Sequence, residues 1–399
     1  MKKVIPAKRT ENVKHAIRDI VPIAQEVEKT GKKVIYLNIG DPMKFDYKTP
    51  EHIWRAINEN KKKCEGYTNA IGNESTRQAV ADYAKRMNCE EITSNDVIIS
   101  VGGSESIILS LQALMNQGEN IVLPRPGYSI YKGELNFLEC EAKEYDLNED
   151  DDWQADPESI RTQINEKTRG IVTINPNNPT GSVTNKKHLR KIIDIAGEYS
   201  LPIFSDETYD QLLYDGEEFT AMASIAKDVP IISFGSISKT HLAPGFRGGW
   251  MYKHDPEGAL DNYFEAIKKL CRLRLSNVGP TEVAIEAALN GPQKHVQELM
   301  KKLLPRRNLT YKRLNEMDGL SCVKPKGAFY CFPKIELSIK SDKDFVLDLL
   351  KETGVLVVYG SGFGQKEGTN HFRVVFLPPE ETLNSAFDKI EAFIKEKYL

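Results

Sequence analysis

The chain carries no surplus of charge: 54 Lys and Arg against 57 Asp and Glu leave a formal net charge of −3, and no long run of either sign occurs. The electrostatic footprint of a nucleic-acid or membrane-surface protein is missing, so a small-molecule partner fits better. Cysteine is sparse and without pattern. Cys64, Cys89, Cys140, Cys271, Cys322 and Cys331 show no CxxC spacing, which argues against a disulfide framework or a metal site and reads as reduced thiols in a cytoplasmic protein. No window approaches the roughly 20 apolar residues that span a bilayer, and the N-terminal stretch MKKVIPAKRTENVKHAIRD lacks the apolar run of a secretory signal. What the chain does have is 399 residues at 40% hydrophobic content, enough to bury a core in one large domain or two of ordinary size.

From about residue 95, short runs rich in Val and Ile alternate with amphipathic stretches, the pattern of βαβ units around a mostly parallel sheet. DVIISV (96–101), NIVLP (120–124), GIVTIN (170–175), PIFSD (202–206), PIISFG (230–235) and GWMY (249–252) read as strands. ESIILSLQALMNQG (105–118) and KKHLRKIIDIAGEYS (186–200) carry apolar residues at helical spacing. The flanks differ. Residues 1–45 hold a helix, ENVKHAIRDIVPIAQEVEKTG, followed by VIYLNIGDP; beyond 292 comes a basic helix, QKHVQELMKKLLPRRNLTYKRLNEM, and then short strands such as AFYCFP and FRVVF. The expectation is a large domain over 46–291 and a smaller one built from both chain ends, 1–45 and 292–399. No internal repeat or low-complexity linker interrupts them.

In open parallel sheets, ligands sit outside the carboxyl ends of the strands, so the polar residues that follow the apolar runs come first. After DVIIS, the turn VGGSES places Gly102, Gly103, Ser104 and Glu105 at the start of a helix, a cradle for an anion or an ordinary βα turn. Tyr128 follows a Pro/Gly turn and offers a flat ring to an aromatic ligand or to the rim of the core. NPNNPTG (175–181) is a stiff turn that leaves Asn178 as a directional donor. Asp206 leaves an apolar strand, where a carboxylate needs a cationic partner or serves as a helix cap, and Tyr209 lies three residues on. SFGSISKTHLAPGFRGG (233–249) sets Lys239 between Ser236 and Arg247. A half-buried lysine near a second cation keeps some neutral amine for a Schiff base, and a hydroxyl with a guanidinium fork suits phosphate; a solvated loop would also carry such residues. Together the strand ends supply an amine nucleophile, an acid for a ring nitrogen, donors for a ring oxygen, an aromatic face and a phosphate cup. Pyridoxal 5′-phosphate asks for that whole set.

With these residues in place, the sequence resembles a class I aminotransferase of the fold-type I pyridoxal-phosphate group, nearly end to end. NPNNPTG, SDETYD and SISKTHLAPGFRGGW occur in that family's order. The resemblance implies an α/β fold, with a central, mostly parallel seven-stranded sheet in the large domain and a smaller α+β domain. It implies that Lys239 forms the Schiff base and moves the proton between Cα and C4′. Asp206 would pair with the pyridinium nitrogen, Tyr209 and Asn178 would hold the phenolic oxygen, and Tyr128 would stack on the ring. The phosphate would meet Gly103, Ser104, Glu105, Ser236 and Arg247, with Tyr67 reaching it from the other subunit of a homodimer. Arg373, supported by Asn178 and the backbone of Gly40, would grip the substrate's α-carboxylate. The finer similarity is to the alanine aminotransferase branch, with 2-oxoglutarate as acceptor and Arg18 on the N-terminal helix meeting the distal carboxylate of glutamate. LPRPGYSIYKG also resembles tyrosine aminotransferases. Aspartate or aromatic donors, a C–S lyase or racemase outcome and a cofactor-bound regulator are the rival expectations.

Overall fold

The structure, a computed structural model, describes residues 2–13 and 15–399. Eight strands form the central sheet, in the order Val97–Val101, Gly248–His254, Ile231–Ser236, Ile203–Asp206, Thr168–Ile174, Asn120–Arg125, Glu141–Asn148, Gln154–Ala155. The five strands from Ile231–Ser236 to Glu141–Asn148 are mutually parallel, while Gly248–His254 runs antiparallel to both of its neighbours. The fold is α/β, as anticipated, and the sheet exceeds the expected seven strands by a two-residue edge, Gln154–Ala155. Glu141–Asn148 is not legible as an apolar run: EAKEYDLN alternates charge with Ala, Tyr and Leu because it lies next to that edge, where only Tyr145 and Leu147 are buried.

Helices form where the pattern placed them, and their caps explain their ends. Lys186–Glu198 buries Leu189, Ile192, Ile193, Ile195 and Ala196, and begins where the Asn185 side chain accepts the N–H of His188 at 3.1 Å. The N-terminal stretch departs from expectation. Instead of one helix over 11–31, there is a 3₁₀ turn at Lys8–Asn12, a short helix at Ala16–Asp19 and a second at Val21–Lys29. Pro22 is the cause: it has no N–H to give, so it is tolerated only in a first turn, and a new helix starts around it. The basic helix runs Lys294–Asn315, with Pro305 inside it.

A second hydrophobic cluster draws on both chain ends, uniting Ile20, Ala24, Leu37 and Tyr47 with Leu303, Leu314, Val355, Phe372 and Phe387. Ile35–Tyr36 pairs in parallel with Val355–Leu356, and Arg306 donates to the Tyr47 hydroxyl at 2.7 Å and to Asp46 at 2.8 Å. Tyr330–Cys331, Phe372–Val375 and Val358–Tyr359 make a three-stranded antiparallel sheet above the cavity described next. Each wholly buried Leu, Val or Phe in this cluster contributes about 1.5–3 kcal/mol, so burial anchors segments from as early as Ile20 and as late as Ile394 in one core.

Candidate active site

The register of the sheet decides what meets at its carboxyl edge. Ile174, Asp206 and Phe234 are aligned neighbours across three parallel strands, so the turns leaving those strands open into one space. That space is a cavity of about 690 Å³, lined by Gly103, Ser104, Tyr128, Asn178, Asp206, Tyr209, Ser236, Lys239, Arg247, Arg373, Arg18 and Gly40 among others. Twelve of the candidate residues therefore converge, though they span positions 18 to 373.

Two do not. The Glu105 N–H donates to the carbonyl of Gly102 at 3.0 Å, and its carboxylate takes the N–H of Val101 and the guanidinium of Arg274, so Glu105 braces the turn from behind. The first turn of a helix leaves free donors, but here this one is already used. Tyr67 lies outside the cavity and is 84% exposed.

The turn at Gly102 needs glycine twice over. Its φ is +78°, in the left-handed region, and a Cβ there would come within 2.5 Å of Arg247 Nη2. The bare backbone thus admits the Arg247 guanidinium beside the start of the Gly103–Leu114 helix. Ser236 and Ser238 complete that end of the cavity, with Ser238 N–H donating to Ser236 Oγ at 3.2 Å. Arg247 has no carboxylate partner among the described residues. A helix start, hydroxyls and a guanidinium without a carboxylate partner are groups that suit a phosphate.

In NPNNPTG the asparagines divide the labour. Asn175 accepts the N–H of Thr184 at 2.9 Å, and Asn177 accepts from the N–H and hydroxyl of Thr180 at 3.1 and 2.9 Å; both hold the turn. Asn178 instead faces the cavity and accepts from Arg373 Nη1 at 2.7 Å. Arg373 is 1% exposed, also donates to the carbonyl of Asn38, leaves Nε without a partner, and meets no carboxylate among the described residues. A buried guanidinium in that state awaits an anion.

Asp206, 5% exposed, accepts from the Thr208 hydroxyl at 2.8 Å, the Thr208 N–H at 3.3 Å and Tyr131 at 3.5 Å. Burial pushes its carboxyl up, partly offset by those donors and by the charge of Lys239. Lys239 is half-buried, and its Nζ donates to the carbonyl of Gly40 at 2.7 Å. Desolvation, then the like charge of Arg373, bring its amine from 10.5 down to about 8, with Arg247 and Arg18 adding to the effect and Asp41 opposing it. Tyr209 is buried with its hydroxyl 2.7 Å from that of Tyr330, and burial raises both phenols.

Thr208, Ser238, Asn38 and Tyr330 do not stand out in the sequence. Thr208 stands between Asp206 and Tyr209 in SDETYD, and Tyr330 sits in AFYCFP, whose antiparallel partner strand carries Arg373. The pairing, not the spacing, brings Tyr330 to the cavity.

Residues 32–390 match the family described as aminotransferase class I and II. The chain belongs to that family. It is 36% identical to the glutamate-pyruvate aminotransferase AlaA of Escherichia coli K12, over 99% of this chain and 98% of that one. A mouse tyrosine aminotransferase is 33% identical, over 99% and 88%. The solved alanine aminotransferase of Pyrococcus furiosus superposes with a TM-score of 0.95 at 46% identity, covering 98% of this chain and all of its own.

A class I and II aminotransferase is a transaminase that uses pyridoxal phosphate and acts on amino and 2-oxo acids. The residues present fit that cofactor. Asp206 is a buried carboxylate whose donors are all neutral, so a protonated ring nitrogen would supply the missing cation. Arg247, with no carboxylate partner among the described residues, would suit the phosphate, and a half-buried amine with lowered pKa stands in the same cavity. Among the described residues no helix is long and apolar enough to cross a membrane, and all six cysteines are free.

Proposed function

We propose that this transaminase exchanges the amino group of alanine with 2-oxoglutarate in two half-reactions at the single cavity. The observation that carries the reading is the pairing of Lys239 with Arg373: an amine poised near neutrality and a buried guanidinium lacking a carboxylate, both lining one space. Alanine as the donor is supported by the alanine-type relatives that cover nearly the whole chain.

Bound there, pyridoxal phosphate supplies a carbonyl carbon that an amine attacks and a ring that takes up the electron pair released at the substrate's Cα. Lys239 would hold the cofactor through its neutral amine and, once free of it, would take and return the proton at the substrate's Cα. Asp206 would hold the proton on the ring nitrogen, Tyr209 and Asn178 would donate to the ring oxygen, and Tyr128 would cover the ring face. Gly103, Ser104, Ser236 and Arg247 hold the phosphate; Glu105 is left out because its N–H is already used. Arg373 grips the α-carboxylate as a fork, oriented by Asn178, and the backbone of Gly40 closes beside it.

Arg18 is exposed at the cavity wall without an ion pair among the described residues, which supports a role in meeting the distal carboxylate of glutamate. Tyr67, Leu273 and Leu275 are 84%, 84% and 61% exposed, and apolar surface of this kind favours a homodimer in which each Tyr67 reaches the other subunit's phosphate. The free thiols favour the cytoplasm.

A panel of single amino acids with 2-oxoglutarate tests the donor. Alanine turnover should exceed that of aspartate and tyrosine by about tenfold or more, and Arg18→Ala should raise the KM for glutamate and for 2-oxoglutarate about tenfold while leaving the single-turnover half-reaction with alanine unchanged. Equal or reversed preference would move the assignment to the aspartate or aromatic type; pyruvate and ammonia formed without an acceptor would indicate a lyase.

A second expectation concerns pH. Only the unprotonated amine attacks a carbonyl, so the rate at which cofactor-free protein captures pyridoxal phosphate should climb with pH up to about 8 and level off above it. An ordinary lysine would keep gaining toward 10.5. Stopped-flow absorbance across pH 6–10, with free lysine as reference, reads the midpoint directly.

A further inference from the structure

We propose that Tyr330 is a positioning residue for transamination, acting through the phenol of Tyr209; this rests on the assignment of Tyr209 to the cofactor's ring oxygen. Tyr330 is buried on the strand Tyr330–Cys331, where it stands opposite Val375 of the strand that carries Arg373. Three contacts converge on its side chain. Its hydroxyl is 2.7 Å from the Tyr209 hydroxyl, its ring lies under the Arg373 guanidinium at 4.5 Å from the centroid, and a Cβ added to Gly40 would come within 2.5 Å of its oxygen. Gly40 is the residue whose carbonyl receives Lys239. One side chain thus touches the phenol, the carboxylate grip and the backbone that holds the amine.

The hydroxyl pair is the part that acts. Tyr209 is wholly buried against Phe329 and Tyr330, and Tyr330 is the partner the structure gives its oxygen. When Tyr330 donates to that oxygen, the Tyr209 proton is left to point into the cavity, and a hydroxyl that accepts becomes a stronger donor onward. A stronger donor at the ring oxygen draws negative charge away from the nitrogen contributed by Lys239, which then releases its proton at lower pH. Remove the Tyr330 hydroxyl and that nitrogen holds its proton more tightly.

The test is a pH titration of the bound cofactor's absorbance in holoenzyme carrying Tyr330→Phe, Tyr209→Phe or both. Tyr330→Phe keeps the ring under Arg373, so the amino-acid KM should stay within about twofold, while the absorbance midpoint should rise by about half a pH unit. Tyr209→Phe should raise it further, and the double variant should match Tyr209→Phe alone. An unmoved midpoint in Tyr330→Phe beside a clear rise in Tyr209→Phe overturns the inference and leaves the site assignment standing. An unmoved midpoint in Tyr209→Phe instead removes the premise, and both fall. Additive shifts in the double variant overturn the route through Tyr209. A lowered melting temperature with an unmoved midpoint marks Tyr330 as a packing residue only and counts against the inference.

Discussion

Lys239→Ala should abolish amino transfer, with kcat falling about 10⁴-fold or more, while the protein still binds pyridoxal phosphate. The two halves of that result have separate causes. Covalent attachment depends on the Lys239 amine, for which the cavity offers no substitute: the other basic side chains lining it are the imidazole of His15 and the guanidinium groups of Arg18, Arg247 and Arg373. The proposed phosphate cup is built from Gly103, Ser104, Ser236 and Arg247, with the Gly102 turn fixed from behind by Glu105 and Arg274. None of that scaffolding touches Lys239, whose hydrogen bond is to Gly40. The substitution is also benign for folding. Because its folded value lies near 8 against 10.5 for a free lysine, the charged amine opposes folding below pH 8, and that cost fades as pH rises from 8 to 10.5. Removing it should leave the melting temperature of the cofactor-free protein at neutral pH no lower. Turnover with alanine and equilibrium dialysis of the cofactor decide the point; a variant that keeps a tenth of the wild-type rate would refute the role of Lys239, and one that loses the cofactor altogether would refute the independence of the cup.

Arg373→Ala should lower kcat/KM for every amino acid by about 10²–10³-fold, the cost of deleting one member of a buried charge pair. The guanidinium is held by Asn178 and by the carbonyl of Asn38, with Nε unpartnered, so its own neighbours neutralise nothing. The substrate carboxylate would be the compensating charge. Arg373→Lys keeps the charge but not the fork, and should recover only part of the loss. A second readout separates substrate binding from collapse of the site. Arg373 is the largest charge effect on Lys239, so its removal should move the midpoint for cofactor capture above 8. A variant with weakened substrate binding and an unmoved midpoint would mean the two cations do not share one cavity.

The residues legible in the sequence are those whose chemistry clashes with their local setting. Asp206 ends an apolar strand and Lys239 stands among small residues after another; each alone also reads as a cap or a solvated loop, and it is their conjunction with the other strand ends that signals a ligand. The βαβ alternation carries the sheet for the same reason: burial writes itself as runs of Val and Ile. What escapes depends on contacts across long separations. Tyr330 reaches Tyr209 from 121 positions away, and nothing in AFYCFP marks it. Arg373 read alone is an arginine in a strand, and only the family resemblance singles it out. Glu105 reads as an open donor at a helix start, but the tight Gly102 turn bends the carbonyl back onto that N–H. The Glu141–Asn148 strand hides behind its charges, and Pro22 splits a periodic stretch into two helices because backbone donors, not side-chain spacing, set where a helix begins.

The anchoring of Arg373 has a consequence for synthesis. Its guanidinium ties residue 38 to residues 178 and 373, so the first tenth, the middle and the last tenth of the chain must all be present before the proposed carboxylate grip is assembled. The cup and its lysine, between positions 102 and 247, leave the ribosome well before Arg373 does. A chain cut short of Phe372–Val375 would lack both that guanidinium and the strand that pairs with Tyr330–Cys331.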